Sequence, residues 1–441
     1  MFLIRRFVYA LRIWWFDLLF HPLVGWPASL LCFALSNVLR HWRPAWSLSL
    51  LCRSHCILLR IGQSRGPFNV GLNRLIERSL KRAIAPAELV ESLAARQTCV
   101  ERIDLTASQM AGLVLKTPRY EGGRVVERGA LLLKNTERLD SFRRCAKMLP
   151  ILERYNLILE PSWSAYANRK LLSFCIFRQH PIIVLAPCQA DYRFLVVLNS
   201  NLRPFPAGAG DWVDPRIFRP LGGREKPFDA VMVARWTLLK RHHVLLRALQ
   251  RIGDPSFRVA FVAPNIPGDT DREPILAVMR KLHLGRQVTV FEDLEPAAVN
   301  EVLNQSKVNV LLSRQEGSNR SLFEGFFAGV PGLALENHVG IPLTHFTPQT
   351  GRLIAEHDLA DALLYFRAHW SRFAPRAWAL GNIAPHLTTQ KLNFVLQKLA
   401  EERREPWTRD IVCKCNCPEL RYYPDDSAGR GLSTMADLLA Q

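Results

Sequence analysis

Two glutamates, Glu316 and Glu324, have a side chain and a spacing that suit a catalytic or ligand-binding site. They lie in a segment that covers residues 308–331. Ionised carboxylates accept hydrogen bonds from the hydroxyl groups of a ligand, and the unpaired N–H groups at the start of a helix attract anions. A segment that combines both features suits a ligand that carries phosphate as well as hydroxyl groups.

The same segment predicts a strand, a loop and a helix. Residues 308–312 are apolar apart from Asn309 and rich in valine, as expected of a buried parallel strand. From Arg320 onward the apolar residues recur at helical spacing. Gly329 followed by Pro331 is a common way to end a helix. Open α/β sheets bind their ligands where a strand leads through a loop into a helix.

A structural interpretation of the two glutamates stays open on their spacing alone. Ser321 and Glu324 match a capping box, in which the glutamate only satisfies backbone donors at the start of a helix. Glu316 is equally consistent with a solvated charge in a loop. Neighbouring strands must therefore supply further ligand-binding side chains if this segment is a site.

The composition predicts a globular protein with an anionic partner. The chain has 441 residues, of which 49% are hydrophobic, enough for two domains with extensions. Its formal net charge of +19 favours nucleic acid, an acidic lipid surface or a phosphorylated substrate. The ten cysteines lack the spacing of zinc ligands and fit a reducing compartment.

The first 82 residues are basic and rich in aromatic side chains. They contain twelve arginines and lysines against two acidic residues. Residues 18–39 lack formal charge and approach the length that spans a bilayer, although Pro22 and Pro27 disfavour a straight transmembrane helix. Tryptophans mixed with arginines suit a membrane interface. We expect attachment to an acidic membrane surface, and the alternative is a helical pair buried on the protein's own core.

Strands and helices alternate along the remainder of the chain. Such alternation predicts parallel sheets of the Rossmann type. Residues 199–227 are rich in Pro, Gly and Asn and predict a linker loop between two halves. The predicted strands of the two halves are residues 129–134, 155–159 and 181–186, then 228–234, 257–262, 288–291, 308–312 and 330–335.

Four short motifs occur in order between residues 211 and 351. They are a Val-Asp pair followed by Phe218 and Pro220, Arg235 with Lys240 five residues on, the pair Glu316 and Glu324, and Gly351. This order resembles the family-4 (group 1) retaining glycosyltransferases of the GT-B architecture, over roughly a third of the chain. The resemblance implies an α/β fold of two Rossmann-like domains that face each other across a cleft, here with a basic hydrophobic N-terminal extension.

The resemblance also implies a division of the chain and of its roles. Residues 1–82 would be the membrane-associating extension, 83–215 an acceptor domain, 216–404 a nucleotide-sugar-binding domain, and 405–441 an irregular tail. Glu316, Arg235 and Lys240 would be catalytic. The donor would be bound by Glu324, Gly317, Ser318, Asn319, Arg320 and Ser321.

The chemistry of sugar transfer agrees with these residue types. A nucleoside diphosphate leaves as an anion, so the site must stabilise developing negative charge on phosphate oxygens. Arg235 offers a planar fork to those oxygens, and Lys240 a mobile point charge. Glu316 would hold a hydroxyl of the donor sugar and Glu324 the ribose hydroxyls. The resemblance implies no metal and no cofactor besides the nucleotide-diphosphate sugar that serves as donor.

The implied function is that of a metal-independent retaining hexosyltransferase in polysaccharide biosynthesis. It would move a sugar to a lipid-linked or cell-envelope glycan at the cytoplasmic face of the membrane. The alternative is an inactive relative that serves as a binding or scaffolding partner. Nucleic acid is not an expected partner, because the sequence contains no recognised nucleic-acid-binding module.

The sequence departs from the family pattern at three places. Arg241 follows the lysine where the family usually has glycine, and residues 317–320 are Gly-Ser-Asn-Arg rather than Gly-Phe-Gly. The first half has no clear counterpart of the family's acceptor-side histidine, and His180 is the candidate.

Overall fold

The computed structural model describes most of the chain, in two compact units. The N-terminal unit contains residues 20–208 and 385–440, and the C-terminal unit contains residues 209–384. The described residues are 18–440 except for 19, 63–66, 86–89, 91–111, 137–138, 140–142, 144–147, 267–270, 318 and 418.

The N-terminal unit is built on a five-stranded sheet with the order β1-β4-β5-β6-β7. Strands β4 to β7 run parallel, and β1 pairs antiparallel with β4 at one edge. A separate hairpin, β2 with β3, lies between β1 and β4 in the sequence. The predicted strands 129–134, 155–159 and 181–186 are confirmed as β4, β5 and β6. The bounds are β1 Gly112–Lys116, β2 Arg119–Glu121, β3 Arg124–Glu127, β4 Gly129–Lys134, β5 Tyr155–Glu160, β6 Ile182–Leu185 and β7 Leu202–Phe205.

Six described helices accompany these strands. They are α1 Pro22–Leu39, α2 Pro44–Arg60, α3 Pro67–Ile84, α4 Met148–Arg154, α5 Arg169–Leu172 and α6 Gln189–Leu198. The sequence pattern of residues 165–177 is helical, but the α-helix there is short because α5 turns directly into a 3-10 helix, Ser173–Ile176. Residues 86–96 also have a helical sequence pattern, and apart from Val90 they lie outside the described residues.

The predicted extension over residues 1–82 is not separate from the first α/β domain where it is described. Leu48 and Leu58 of α2 and Ile76 and Leu80 of α3 are fully buried in the same apolar core as β4 and β5. These helices cover one face of the sheet, and the burial of their leucines makes them part of the N-terminal unit.

The C-terminal unit contains a six-stranded, fully parallel sheet with the order β10-β9-β8-β11-β12-β13. The bounds are β8 Ala230–Val233, β9 Val259–Ala263, β10 Val288–Glu292, β11 Asn309–Leu311, β12 Gly332–Leu335 and β13 Gly351–Ile354. Counted from β8, this is the Rossmann order 3-2-1-4-5-6, in which successive strands are added on one side of β8 up to β10 and on its other side from β11 onward. The strands predicted for the second half of the chain are confirmed, and β13 was not predicted.

Six α-helices are formed by the described residues of the C-terminal unit. They are α7 His242–Ile252, α8 Arg272–Lys281, α9 Pro296–Asn304, α10 Ser321–Phe327, α11 Leu359–His369 and α12 Pro375–Asn382. Helix α7 ends at Gly253 in the left-handed conformation, with φ of +65°. Alternating strands and helices bury both faces of the four inner strands, β8, β9, β11 and β12, which is why these strands are apolar apart from Asn309.

Residues 385–440 return to the N-terminal unit, so the predicted boundary at residue 404 differs from the structure. They form α13 Pro385–Glu402, the antiparallel pair β14 Lys414–Cys417 and β15 Glu419–Tyr422, and α14 Met435–Ala440. The fully buried Lys414 ion-pairs with Glu160 at the end of β5, with Nζ to Oε2 at 2.9 Å. A buried charge pair of this kind fixes the segment in place, so the predicted irregular tail is an ordered part of the unit.

The predicted linker 199–227 also contains more structure than its composition indicated. Leu202 and Phe205 are buried at the two ends of β7, and the two units change over at residues 208 and 209. A strand of four residues that includes a proline gives little periodic signal, which is why it resembled a loop.

Candidate functional site

A cavity of about 320 Å³ opens in the C-terminal unit where the loops after β8, β9, β10 and β11 meet. This is the point at which the strand order of the sheet reverses, and parallel sheets bind ligands there. Of the nine predicted site residues, six line the cavity. These are Arg235, Lys240, Glu316, Asn319, Arg320 and Ser321.

Strand β8 and the turn after it supply the two cations. Arg235 is exposed immediately beyond the strand, and Lys240 ends a 3-10 turn, Leu238–Lys240. The N–H of Leu238 donates to Asp271 Oδ2 at 2.8 Å. Between the two cations the fully buried Trp236 donates through Nε1 to Glu292 Oε1 at 2.7 Å. These bonds fix the turn that carries both cations.

Lys240, in the turn after β8, forms an ion pair with Glu316, in the loop after β11. Lys240 Nζ lies 2.5 Å from Glu316 Oε1, and both side chains are largely buried. The backbone of Glu316 is held by its N–H, which donates to Val339 O at 2.9 Å. Gly340 has φ of +115°, and a Cβ there would lie 2.1 Å from Glu316 O, so only glycine fits.

Glu324 lies inside α10 and is paired with a cation rather than with backbone donors. Arg320 Nε donates to Glu324 Oε1 at 2.5 Å, one turn apart. The Leu322 N–H in the first turn donates instead to Asn319 Oδ1 at 2.9 Å. Asn319 therefore caps the start of α10, which is the role that the capping-box interpretation of the sequence gave to Ser321. Glu324 does not line the cavity, but Arg320 connects it to the lining.

Two predicted donor-binding residues remain outside this description. Gly317 does not belong to the cavity lining. Ser318 lies outside the described residues. Their predicted roles stay predictions.

In the sequence, Arg241 is notable only because it departs from the family pattern. In the structure, it forms a buried ion pair beside the site. It is in the left-handed conformation, with φ of +60°, and its side chain is buried. Its guanidinium donates to both carboxylate oxygens of Glu356, at 3.0 and 2.9 Å, and to Leu312 O at 3.3 Å. Arg314 also donates to Glu356, at 2.9 Å. This cluster ties the residue after Lys240 to the end of β11.

The charge of Glu356 is stabilised strongly by these arginines. Burial raises the pKa of the Glu356 carboxyl, but the hydrogen bonds and charges of Arg241 and Arg314 outweigh burial and lower that pKa to about 2. Glu356 is therefore an anion under all physiological conditions. Sequence reasoning missed it because it lies 115 residues from Arg241.

Three histidines next to the site are buried and neutral. Burial lowers the pKa of His242, His243 and His338 to about 3 in each case, assisted by neighbouring cations. His338 Nε2 lies 3.4 Å from Ser313 Oγ, behind the loop that carries Glu316. The low pKa values mean that none of the three carries a positive charge near neutral pH.

An arginine of α12 holds the Val-Asp-Pro linker motif to the end of α10. Arg376 Nη1 donates to Phe218 O at 3.0 Å and to Phe327 O at 2.5 Å. Within the motif, Arg216 forms a two-pronged pair with the buried Asp214, at 2.9 and 2.7 Å. The motif thus serves the packing of the C-terminal unit, with its charges paired among themselves.

One acidic sequence bears on the prediction that transfer needs no metal. Residues 269–271 are Asp-Thr-Asp, a pattern that can bind a metal-nucleotide complex. Of these, the described Asp271 is buried, and its Oδ2 accepts the Leu238 N–H. Independence from metal stays a prediction.

His180, the candidate acceptor-side histidine, lies at the wrong end of its strand. It precedes β6, next to the amino end of the strand, and its carbonyl accepts from Asn201 Nδ2 at 3.2 Å. Ligands of parallel sheets bind at the carboxyl ends of the strands. We therefore withdraw the assignment of His180.

The cavity-bearing segment matches a known family model. This model is described as glycosyl transferases group 1, and the match covers residues 213–367. The match covers the strand reversal, the cavity and the four motifs up to Gly351, about a third of the chain. The predicted α/β class with two Rossmann-like domains is confirmed by the sheets of the two units.

Solved structures of glycosyltransferases are similar to this chain in fold. They include a mutant TarM of S. aureus in complex with fondaparinux, alpha-GlcNAc-glycerol and UDP, at 14% identity and a TM-score of 0.47. This chain spans 55% of the TarM chain, and 60% of this chain is covered. Sucrose-phosphate synthase from Thermosynechococcus elongatus has 16% identity and a TM-score of 0.49, with 62% of this chain and 74% of that chain covered.

A third similar structure is Anabaena Alr3699/HepE in complex with UDP and glucose. Its identity is 14% and its TM-score 0.49, with 60% of this chain and 78% of that chain covered. At these identities the similarity concerns the fold alone. No curated protein sequence matches the chain.

Proposed function

We propose that this protein is a retaining, metal-independent hexosyltransferase that uses a nucleotide-diphosphate sugar as donor. The observation that carries the proposal is the meeting of Arg235 and Lys240 with Glu316 at the strand reversal of a group 1 glycosyltransferase domain. Cations at this place suit a diphosphate, and a carboxylate beside them suits a sugar hydroxyl.

The ion pairs at the site suggest how each charged side chain keeps a partner when the donor binds. Lys240 and Arg320 are paired with Glu316 and Glu324, each at 2.5 Å. Phosphate oxygens of the donor would attract the two cations, and each glutamate would then accept hydrogen bonds from hydroxyl groups. Glu316 would take a hydroxyl of the sugar, and Glu324 would take the ribose. Each partly buried charge thus keeps an ionic or hydrogen-bonding partner throughout, and Arg235 adds a third cation for the diphosphate.

The cations also favour the departure of the nucleoside diphosphate. As the bond to the sugar breaks, negative charge grows on the diphosphate, and fixed donors aimed at that charge lower the barrier. Arg235 is positioned by the turn that Asp271 holds, and Lys240 by the same turn. Positioning before reaction means that little reorganisation is needed when charge develops.

We assign acceptor recognition to the N-terminal unit and expect a lipid-linked or cell-envelope glycan at the cytoplasmic face of the membrane. The support is the basic charge of the first 82 residues and the apolar helix α1. A cation-rich surface concentrates a protein on acidic lipid, where a lipid-linked acceptor would be found.

The test combines donor binding with transfer. A thermal-shift panel of nucleotide sugars identifies the donor, because a ligand of the native state raises the melting temperature. Arg235→Ala and Glu324→Ala should each remove about 2–4 kcal/mol of transition-state stabilisation from kcat/KM. Arg251→Ala, an exposed arginine of α7 outside the cavity lining, should leave kcat/KM unchanged.

Several outcomes decide among the alternatives. Unchanged transfer rates in both Arg235→Ala and Glu324→Ala would show that these residues do not bind the donor. Donor binding by the wild-type protein without turnover on membrane extracts would favour the inactive relative. The anomeric configuration of the product, read by NMR, tests retention, and activity in EDTA tests independence from metal.

A further inference from the structure

Helix α1 turns most of its large aliphatic side chains away from the protein. It is long and apolar enough to cross a membrane by length and composition, and only 17% of it is buried. A helix on the surface of a protein in water shows the reverse arrangement, with its apolar stripe inward. The outward side chains are Leu23, Leu30, Leu31, Leu35 and Val38, which are 41–74% exposed.

The fully buried residues of α1 are the small residues Gly25, Ser29 and Ser36, and Trp26 and Phe33 pack beside them against the core of the unit. Ser29 and Ser54 exchange hydrogen bonds between α1 and α2, with each hydroxyl donating to the other's carbonyl, at 3.1 and 2.8 Å. Ser47 Oγ donates to Ser36 O at 2.8 Å. A Cβ at Gly25 would lie 2.5 Å from the Ile61 side chain. Interfaces of small and hydroxyl residues are typical of helix pairs inside membranes.

Helix α2, which lies behind α1, belongs to the core of the N-terminal unit. Leu48, Leu51 and Leu58 of α2 are buried in the core cluster that also contains β4 and β5. To cross a bilayer, α1 would have to leave α2 and give up the serine bonds, or draw the folded unit in with it. The hairpin therefore favours an α1 that lies along the surface of the unit.

Cations and tryptophans surround the turn between α1 and α2. Arg40, Trp42 and Arg43 are exposed in the turn, and Trp46 follows on α2, 61% exposed. The sequence contains no Asp or Glu from residue 18 to residue 76. Tryptophan prefers the headgroup level of a membrane, and arginine pairs with acidic lipid. The positive charge and the tryptophans of this region therefore complement an anionic bilayer. A protein surface of mixed charge would be expected to meet acidic residues here as well as basic ones.

We propose that α1 is an in-plane membrane anchor that buries its Leu23–Val38 face in one leaflet of an anionic bilayer, with both of its ends on the same side. The proposal deepens the membrane location given under the proposed function, and it does not depend on transferase activity. It assigns the binding face to α1 and the selectivity for acidic lipid to the arginines of the turn.

Vesicle binding by the full-length protein tests the face. The double variant Leu23→Glu with Leu31→Glu should weaken binding to phosphatidylglycerol-containing vesicles at least about tenfold, since two buried leucines are lost to charge. Val196→Glu and Phe394→Glu are matched controls, because these apolar side chains are exposed elsewhere in the N-terminal unit. Both controls should bind as the wild type does.

The arginines are tested by the lipid dependence of binding. Arg40→Glu with Arg43→Glu should remove the preference for phosphatidylglycerol over pure phosphatidylcholine vesicles. All substitutions are at exposed positions, so the melting temperature and its shift by a nucleotide sugar should stay as in the wild type. That readout separates a failure of the anchor from a failure of the proposed function.

The orientation is tested by labelling both ends of α1 in sealed membrane vesicles. His21→Cys and His41→Cys place thiols at exposed positions before and after the helix. A membrane-impermeant maleimide, with labelled sites mapped by mass spectrometry, should reach both positions from the same side. Protection of one position would show a spanning helix and overturn the proposal.

Two further results would also overturn it. Equal vesicle binding by the wild type and the Leu23→Glu, Leu31→Glu variant would show that this face does not meet lipid. A wild-type dimer that the same variant separates, in light scattering without vesicles and with no lipid binding, would show that a second copy of the chain covers the face.

Discussion

The position of Arg241 leads to the sharpest prediction about this protein. Its backbone is in a conformation that favours glycine, and its buried guanidinium holds Glu356 and Leu312 O. Arg241→Gly relieves the backbone and removes the ion pair at the same time. The sign of the stability change therefore shows which of the two effects is larger.

Both effects can be estimated from the structure. A residue other than glycine in the left-handed region costs about 1–2 kcal/mol, which the substitution returns. Breaking a buried ion pair costs about 3–5 kcal/mol. The lower end applies because the Glu356 side chain is 38% exposed and keeps its bond to Arg314, so solvent screens the remaining charge. Arg241→Gly should thus lower the free energy of unfolding by about 1–2 kcal/mol.

Arg241→Ala separates the two contributions. It loses the ion pair and keeps the strained backbone, so it should be less stable than Arg241→Gly by about 1 kcal/mol. Urea unfolding followed by tryptophan fluorescence gives both values. Because Arg241 follows Lys240 directly, both variants should also raise KM for the donor. An Arg241→Gly protein as stable as the wild type would refute the view that this pair anchors the site.

Three further predictions concern stability. Gly340→Ala should cost about 2–3 kcal/mol and impair donor binding, since its Cβ would strike Glu316 O. Stability should fall as the pH drops from 6.5 toward 3, by about 1.4 kcal/mol per pH unit for each of the buried His242 and His338, because only the unfolded chain binds these protons. Glu127→Gln should destabilise the N-terminal unit by about 3 kcal/mol, because it leaves the buried Lys116 without its counter-ion.

Each of these has a matched control. Gly381→Ala on α12 has no atom within 4 Å of the new Cβ and should not destabilise the protein, because a helix favours alanine over glycine. His338→Gln should reduce the acid dependence by one histidine's share, and an unchanged slope would contradict the low pKa. Glu121→Gln removes a partner from an exposed pair with Arg119, so its effect should stay within about 1 kcal/mol. Equal effects of Glu121→Gln and Glu127→Gln would contradict the burial argument.

The strands of the C-terminal unit and the loops of its site could be predicted from the sequence. Apolar runs such as residues 308–312 and 330–335 encode buried parallel strands locally. Residues after such runs fall at one edge of the sheet, so Arg235 and Glu316 could be expected together. The family motifs depend on the same short spacings.

The sequence could not show how the charged residues are paired. Lys240 pairs with Glu316 across 76 residues, and Arg241 with Glu356 across 115. Ion pairs leave no periodic pattern in a sequence. Many other arginines and lysines of this basic chain could have been the partners of these glutamates. The strand order that joins β8 to β11 selects these partners.

The direction of α1 and the return of residues 385–440 were also decided by the tertiary structure. Composition showed that residues 18–39 are apolar, but an all-round apolar helix has no periodicity that marks its outer face. The serines of α2 select the inner face, and Glu160 receives Lys414 from the far end of the chain. Local sequence patterns therefore encode the helices and strands and the residue types at their ends. Which faces and charges meet depends on the folded chain, because those contacts join residues that no local pattern relates.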